Sequence, residues 1–143
     1  MKWDQRSFEE SVKNNCRAHT SNVIIDLIKF AETNSGITSW GRGEGYGTMT
    51  YKCNSDDYGI VPLFLLTTNG QIKFQLNYLR NKVKKKEILR DYQLKLESNF
   101  MLDFDEEYYP SDVYHNIGEL FVMQVDIEKF KQTIIGISDR LYQ

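Results

Sequence analysis

Alternating glycines give this chain of 143 residues its most distinctive spacing. The run consists of Gly41, Gly43, Gly45 and Gly47, separated by Arg42, Glu44 and Tyr46. A glycine-rich run can let a phosphate group approach the backbone, but the dinucleotide-binding form must follow a strand and open a helix. Residues 48–52 instead have a strand-like pattern, so the sequence does not favour a phosphate cradle.

Two interpretations of the glycine run stay open. In the first, the run is a bulged or twisted hairpin in which glycine lets a large side chain, such as Trp40 or Tyr46, lie across the backbone. In the second, a ligand or partner approaches the bare backbone between Trp40, Arg42 and Tyr46. Ordered glycine costs about 0.5 to 1 kcal/mol relative to alanine, so either interpretation gives the cluster a reason to exist.

Basic and acidic residues separate strongly in the second half of the chain. Residues 80–95 carry seven basic side chains against two acidic ones, and residues 97–112 carry six acidic side chains and no basic one. A solvated helix face beside an acidic loop would explain this. Alternatively, a basic ridge contacts phosphate groups, joined by Lys73. The ridge includes Arg80, Lys84, Lys85 and Lys86, and the acidic loop includes Asp103, Asp105, Glu106 and Glu107.

One constellation could support hydrolysis. Asp57 and the segment Gln71-Ile72-Lys73 resemble a degenerate form of the acidic and lysine positions of PD-(D/E)xK nucleases, which hold magnesium and polarise water. However, Asp57 lies in a turn, and glutamine is a weaker ligand than carboxylate for a hard cation. Two cysteines and two histidines stand in isolation, without the spacing of a metal or nucleophile motif. We therefore predict no catalytic residue, no metal site and no cofactor.

The composition predicts a folded globular protein. With 41% hydrophobic residues, 27% charged residues and a mean hydropathy of −0.53, the chain fits one α+β domain over residues 1–143. The net charge of −2 gives no general attraction to nucleic acid or anionic lipid, so such a partner would need a local patch. Without an apolar run long enough to span a membrane, and without a secretory signal, the sequence predicts a cytoplasmic protein with no membrane partner.

The secondary-structure signals predict a four-stranded antiparallel meander packed against amino- and carboxy-terminal helices. Helices are expected from the cap at Asp4 or Ser7 to about Cys16, from Thr20 or Ser21 to residues 34–36, over 84–100, and after the cap Asp126. Strands are expected near 37–41, 47–53, 60–67 and 71–79, with a type I′ turn at Asn69-Gly70. Residues 101–116 are expected to form a loop, and 120–123 a strand or an extended segment.

The fourth predicted strand should carry two different faces. Ile72, Phe74, Leu76 and Tyr78 would pack on the helices, while the opposite face would meet water or a partner. That polar face consists of Gln71, Lys73, Gln75 and Asn77.

Part of the chain resembles a small bacterial α+β domain family of uncharacterised function. The similarity rests on Trp3-Asp4-x-x-Ser7-Phe8, on Trp40-Gly41-x-Gly43 after Gly36-Ile37, and on the hairpin over 63–72. It covers most of residues 3–80 and is weaker beyond them, at 109–111 and in the final helix. The resemblance implies a compact α+β fold, found alone or attached to larger proteins, and it implies no activity and no functional residues.

The function that these observations favour is a non-catalytic binding or accessory module for a protein or nucleic acid. Its expected surface comprises Trp40, Arg42, Tyr46, Lys73, Gln75, Asn77, Arg80, Lys84, Lys85 and Lys86. A metal-dependent nuclease of the degenerate type above is one alternative. A small inhibitor or immunity-type protein that blocks a partner with the acidic loop is another.

Overall fold

The chain folds into a sheet with helices packed on one of its faces. The structure is a computed structural model, and it describes residues 2–34, 36–104 and 112–143. Within those residues the helices are α1 (Gln5–Asn15), α2 (Ala18–Thr33), α3 (Leu76–Lys82), α4 (Lys86–Phe100), α5 (Ile117–Leu120) and α6 (Gln124–Tyr142). The strands are β1 (Ile37–Trp40), β2 (Thr48–Ser55), β3 (Gly59–Thr67), β4 (Gln71–Phe74) and β5 (Tyr114–Asn116). The predicted α+β class is confirmed.

Helix α1 begins after Asp4, the earlier of its two predicted caps, and α2 begins slightly earlier than the sequence suggested. Asp4 is the N-cap of α1: its carboxylate accepts a hydrogen bond of 2.8 Å from the N–H of Ser7, and the hydroxyl of Ser7 accepts one of 3.1 Å from the N–H of Asp4. Ser7 therefore completes the capping box and is not the cap itself. Ser21, expected as a cap of α2, is buried inside that helix, and its hydroxyl donates to the carbonyl of Val12.

The sheet is antiparallel, with the strand order β1-β2-β3-β4-β5. The predicted meander is confirmed, but the sheet has five strands because β5 pairs with β4 inside the expected loop. The turn between β3 and β4 is not the predicted type I′ turn. Of its residues, only Gly70 has a positive φ, and its N–H donates to the carbonyl of Thr67. This is the pattern of a three-residue hairpin loop that ends in a left-handed glycine.

The predicted fourth strand is too long. It ends at Phe74, and residues 76–82 form α3, which leaves Leu76 buried but Tyr78 46% exposed. Helix α3 forms here because Asp112, far along the chain, caps its first turn: the carboxylate accepts hydrogen bonds of 2.8 Å and 3.1 Å from the N–H groups of Asn77 and Tyr78. A carboxylate at a helix N-terminus satisfies donors that have no partner within the helix.

An aromatic core joins the sheet to the carboxy-terminal helix. Tyr51 stacks on Phe64 with ring centroids 5.1 Å apart, and Phe64 meets Phe130 of α6 edge-on at 5.0 Å. Helix α6 packs on β2 and α4, and α2 packs on β1. Helix α6 begins at Gln124, earlier than predicted, and Asp126 accepts a hydrogen bond from the N–H of Met123. The segment expected to be extended at 120–123 includes the end of the short helix α5.

Candidate binding surface

The face of the sheet opposite the core is partly open, and we call it the open face. One row of cross-strand partners, one residue from each of the five strands, crosses it: Ser39, Thr50, Leu65, Lys73 and Tyr114. Each member is half-buried, whereas the residues beside them on the three central strands, such as Met49 and Phe74, are buried. At a strand spacing of about 4.8 Å, the row is about 19 Å long.

The open face is cationic. The five strands contain two lysines, Lys52 and Lys73, and no acidic residue. Lys52 pairs with Ile37 and Pro62 in the sheet register and therefore shares the open face, because directly opposite residues project to the same side. This local excess of positive charge is what a chain with a net charge of −2 needs if it is to bind an anionic partner.

Two tyrosines meet Lys73 at one end of the row, in a group that we call the tyrosine–lysine cluster (Tyr46, Lys73 and Tyr114). The ammonium group of Lys73 lies 4.3 Å from the ring centroid of Tyr114, within range of a cation–π interaction of about 0.5 to 1 kcal/mol. Hydrogen bonding to Tyr114 raises the pKa of the Tyr46 hydroxyl above its ordinary value. Tyr46 is 43% exposed, so the cluster presents aromatic surface beside a cation.

Trp3 holds the glycine run in place, and the run in turn positions Tyr46. The indole N–H of Trp3 donates a hydrogen bond of 2.7 Å to the carbonyl of Gly43, and its backbone N–H donates one of 2.9 Å to Gly41. A Cβ atom on Gly47 would lie only 2.6 Å from the Trp3 ring. The run is thus a glycine segment crossed by a large side chain, as the first interpretation held, but the side chain is Trp3 and not Trp40 or Tyr46.

The other end of the glycine run is tied to the hairpin between β3 and β4. The N–H of Gly47 donates to the Thr68 hydroxyl at 2.9 Å, and the N–H of Thr68 donates to the Gly47 carbonyl at 3.0 Å. These bonds fix the residue that follows Tyr46. Residues about 40 and 20 positions away therefore orient a side chain that the local sequence shows only as part of a loop.

Of the residues predicted to form the binding surface, Trp40, Gln75 and Asn77 lie outside the open face. Trp40 is half-buried, with its ring centroid 5.4 Å from that of Phe8, and it lies on the core side of β1 beside Met49. Arg42 is exposed in the glycine run. Gln75 and Asn77 are not part of the polar strand face, because Gln75 is the N-cap of α3 and Asn77 is buried within that helix.

The predicted basic ridge is divided among different surroundings. Lys85 forms an ion pair with Asp57, with 2.9 Å between the ammonium nitrogen and the carboxylate oxygen, while Lys84 is exposed. Arg80 and Lys86 line a groove between α3 and α4 instead. Lys73 belongs to the open face and not to this ridge.

Asp112 lies between the open face and α3. Partial burial raises the pKa of its carboxyl group above the ordinary value, against the opposing effect of the two backbone hydrogen bonds and of the charges of Lys73 and Arg80. Both cations are thus near enough to act on the same carboxylate. Neither Asp112 nor Tyr114 was predicted as a site residue, since both fall in the segment expected to be a loop. Val113 and Tyr114 favour a strand by residue type, but two such residues are too few to predict one inside a loop.

The residues of the nuclease hypothesis are far apart. Asp57 lies in the turn before Gly59, whereas Lys73 pairs with Leu65, six residues along β3 and therefore about 20 Å away. Two side chains that far apart cannot act at the same metal ion. Within the described residues no group of three histidine, cysteine or carboxylate side chains is placed to hold a metal ion.

A polar cleft beside α2 contains Cys16 and His19 but lacks an activated nucleophile. The Cys16 thiol donates to the carbonyl of Thr68 at 3.4 Å, and burial raises its pKa, so the thiol form is favoured over the nucleophilic thiolate. The Nε2 atom of His19 is 2.6 Å from the carbonyl oxygen of Phe121, which can only accept, so that nitrogen carries the proton.

The acidic loop is described only at its beginning. Asp103 is exposed, whereas Asp105, Glu106 and Glu107 lie outside the described residues. The inhibitor hypothesis therefore stays a prediction.

Comparison with protein-family models, with curated proteins and with solved structures found no match to this chain. The resemblance to a bacterial domain family stays a prediction. No helix among the described residues is both long enough and apolar enough to cross a membrane.

Proposed function

We propose that the chain is a non-catalytic binding module that binds single-stranded nucleic acid on its open face. The observation that carries the proposal is the tyrosine–lysine cluster at the end of a five-strand row whose strands carry lysine but no acidic residue. Open antiparallel sheets with exposed aromatic rings are a recurrent platform for unstacked bases, and neighbouring lysines contact the phosphates.

The expected energies favour a strand of nucleic acid over a duplex. Stacking of a base on an aromatic side chain contributes about 1 to 3 kcal/mol, and it requires a base that is free of its partner strand. The row length of about 19 Å suits a short single-stranded segment, since single sheet-based domains bind about 4 to 16 nucleotides. A protein partner would gain less from the cluster, because it offers no series of flat bases to stack on the exposed tyrosine ring.

The test is fluorescence anisotropy with labelled oligothymidylate, oligouridylate and a duplex of equal length. Lys73→Gln should weaken single-strand binding about three- to tenfold and reduce the salt slope by about 0.7, the contribution of one phosphate contact. Tyr46→Ala should weaken it about fivefold or more, as expected for one lost stacking platform. Tyr46 is exposed, and Lys73 is half-buried with one cation–π contact, so the free energy of unfolding should fall by no more than about 1 kcal/mol in either variant.

The matched controls are exposed residues on helices. Lys29→Gln on α2 removes the same charge, and Tyr142→Ala at the end of α6 removes the same ring, both away from the open face. The proposal fails if the controls weaken binding as much as Lys73→Gln and Tyr46→Ala, or if no oligonucleotide binds at low salt. If a cross-linked protein is instead captured and then released by Lys73→Gln, the partner is a protein and not a nucleic acid.

A further inference from the structure

A groove between α3 and α4 collects positive charge at a second place. This open groove has a volume of about 860 Å³, within the range of small-molecule sites, and Arg80, Lys86 and Arg90 line it. Its apolar part is formed by Leu89, Leu94 and Phe104. Lys73, Tyr46 and Tyr114 do not line this groove, so it is separate from the open face.

The three cations of the groove are not neutralised by ion pairs within the described residues. The Arg80 guanidinium is held by the side-chain amide oxygens of Asn77 and Gln93, which fix its orientation without cancelling its charge. The ammonium group of Lys86 donates to the Arg80 carbonyl at 2.9 Å, which is also a neutral acceptor.

Two other basic residues of the same region have carboxylate partners. Lys85 pairs with Asp57, and Lys95 pairs with Asp91 at 3.4 Å. Glu97 lies one turn along α4 from the groove residue Gln93, and it accepts hydrogen bonds from the Gln93 side-chain amide and from the backbone N–H of Phe104. Among the described residues, three cations and no carboxylate therefore line the groove, and the nearby carboxylate of Asp112 offsets only part of the charge of Arg80.

We infer that this groove binds a phosphomonoester, either as a free nucleotide or as the 5′-phosphate end of a nucleic-acid strand. An oriented guanidinium with two further cations suits the oxygens of a phosphate dianion, which accept charge-assisted hydrogen bonds. The apolar surface of Leu94 and Phe104 gives the attached base or sugar a place to pack. The inference does not depend on the open face, and it stands whether or not that surface binds a strand.

The first experiment titrates the protein with adenosine 5′-monophosphate and with adenosine, followed by amide chemical shifts. We expect shifts at Asn81, Leu89 and Gln93 with the phosphate-bearing ligand and much smaller shifts with adenosine. Arg90→Gln should weaken the affinity for adenosine 5′-monophosphate about three- to tenfold. Lys84→Gln is the matched control, because Lys84 is exposed in the same basic run but does not line the groove.

Three results would overturn the inference. These are equal affinities for adenosine and its monophosphate, equal losses from Arg90→Gln and Lys84→Gln, and no shift in the groove residues at roughly 10 mM ligand, where a site of millimolar affinity would be occupied. Shifts confined to Lys73 and Tyr114 would also overturn it, since they would assign the binding to the open face.

The second experiment identifies the source of the phosphate. Oligothymidylate with and without a 5′-phosphate is compared on the starting protein and on Arg90→Gln. Tighter binding of the phosphorylated strand that Arg90→Gln abolishes supports a strand end, whereas monophosphate binding without that gain supports a free nucleotide. The absence of both effects overturns the inference even if Lys73→Gln still weakens strand binding.

Discussion

Gly47→Ala should destabilise the fold more than any other alanine substitution in the glycine run. The added Cβ would lie 2.6 Å from Cδ2 and 2.9 Å from Cε2 and Cε3 of Trp3. Trp3 is only 9% exposed, and its backbone N–H is bonded to the Gly41 carbonyl, so the ring cannot swing away without breaking the indole hydrogen bond to Gly43. The φ of Gly47 is not in the left-handed region, so the cost is one of steric overlap and not of backbone strain.

The expected loss in the free energy of unfolding is about 2 to 4 kcal/mol. Forcing a methyl group into a packed site costs about 1 to 3 kcal/mol, and loss of the indole hydrogen bond adds about 1 kcal/mol. In urea, at a slope of about 2 kcal/mol per molar, the unfolding midpoint should fall by about 1 to 2 M with the slope unchanged. This is a large part of the roughly 5 to 15 kcal/mol that stabilises a typical domain.

Gly45→Ala is the matched control in the same run. A Cβ there meets no heavy atom within 4 Å, so the change should be close to neutral, or stabilising by up to about 1 kcal/mol because alanine restricts the unfolded chain. Gly41→Ala should lie between the two, since its Cβ would overlap the Thr48 hydroxyl, which can rotate. Equal midpoints for Gly47→Ala and Gly45→Ala would refute the reasoning. So would a cost of Gly47→Ala that persists in a Trp3→Ala background, where the overlapping ring is gone.

Two titrating side chains give further predictions. Burial between Phe74 and Phe104 lowers the pKa of His115 below 6.5. As the pH falls, His115 is therefore protonated in the unfolded chain before it is protonated in the folded protein. The stability that the neutral ring contributes is full above pH 6.5 and is lost as the pH falls through the folded pKa. His115→Phe should reduce the loss of unfolding free energy between pH 7.5 and 5.5, and a ring titration by NMR with a pKa above 6.5 would contradict this. Burial raises the pKa of Cys53 to about 11, so its thiol should not react in the folded protein at pH 8. In a Cys16→Ser variant, a disulfide reagent should therefore label Cys53 only after denaturation. Rapid labelling of the native variant would disprove the burial.

The fold class and the first three strands were readable from sequence because their signals are local. Alternating burial along β2 and turn residues at both ends of the β2–β3 hairpin fix those strands without help from distant residues. Beyond Phe74 the local pattern is ambiguous, since Leu76 with Tyr78 suits a strand and Leu76 with Leu79 suits a helix. The helical alternative is favoured by Asp112, whose carboxylate caps α3 from 35 residues away.

The candidate site was predicted in part for the same reason. Tyr46 and Lys73 were both proposed from sequence, but nothing in their neighbourhoods indicates that they share a site. They meet through Tyr114, which belongs to a strand of three residues that forms only by pairing with β4. Trp3 shows the converse case: its aromatic type was visible, but its contact with Gly47 joins parts of the chain 44 positions apart.

A competing explanation of the open face is that its lysines serve only to keep the protein from associating. Charged side chains on exposed sheet surfaces do discourage pairing between molecules. That role needs charge of either sign, whereas binding of phosphate groups needs positive charge. Lys73→Glu therefore separates them: it keeps a charge on the row and so preserves the monomeric state, but it places a carboxylate where the strand's phosphates would lie. Retention of oligonucleotide affinity in Lys73→Glu would assign the lysine to solubility, and a loss greater than that of Lys73→Gln would assign it to binding.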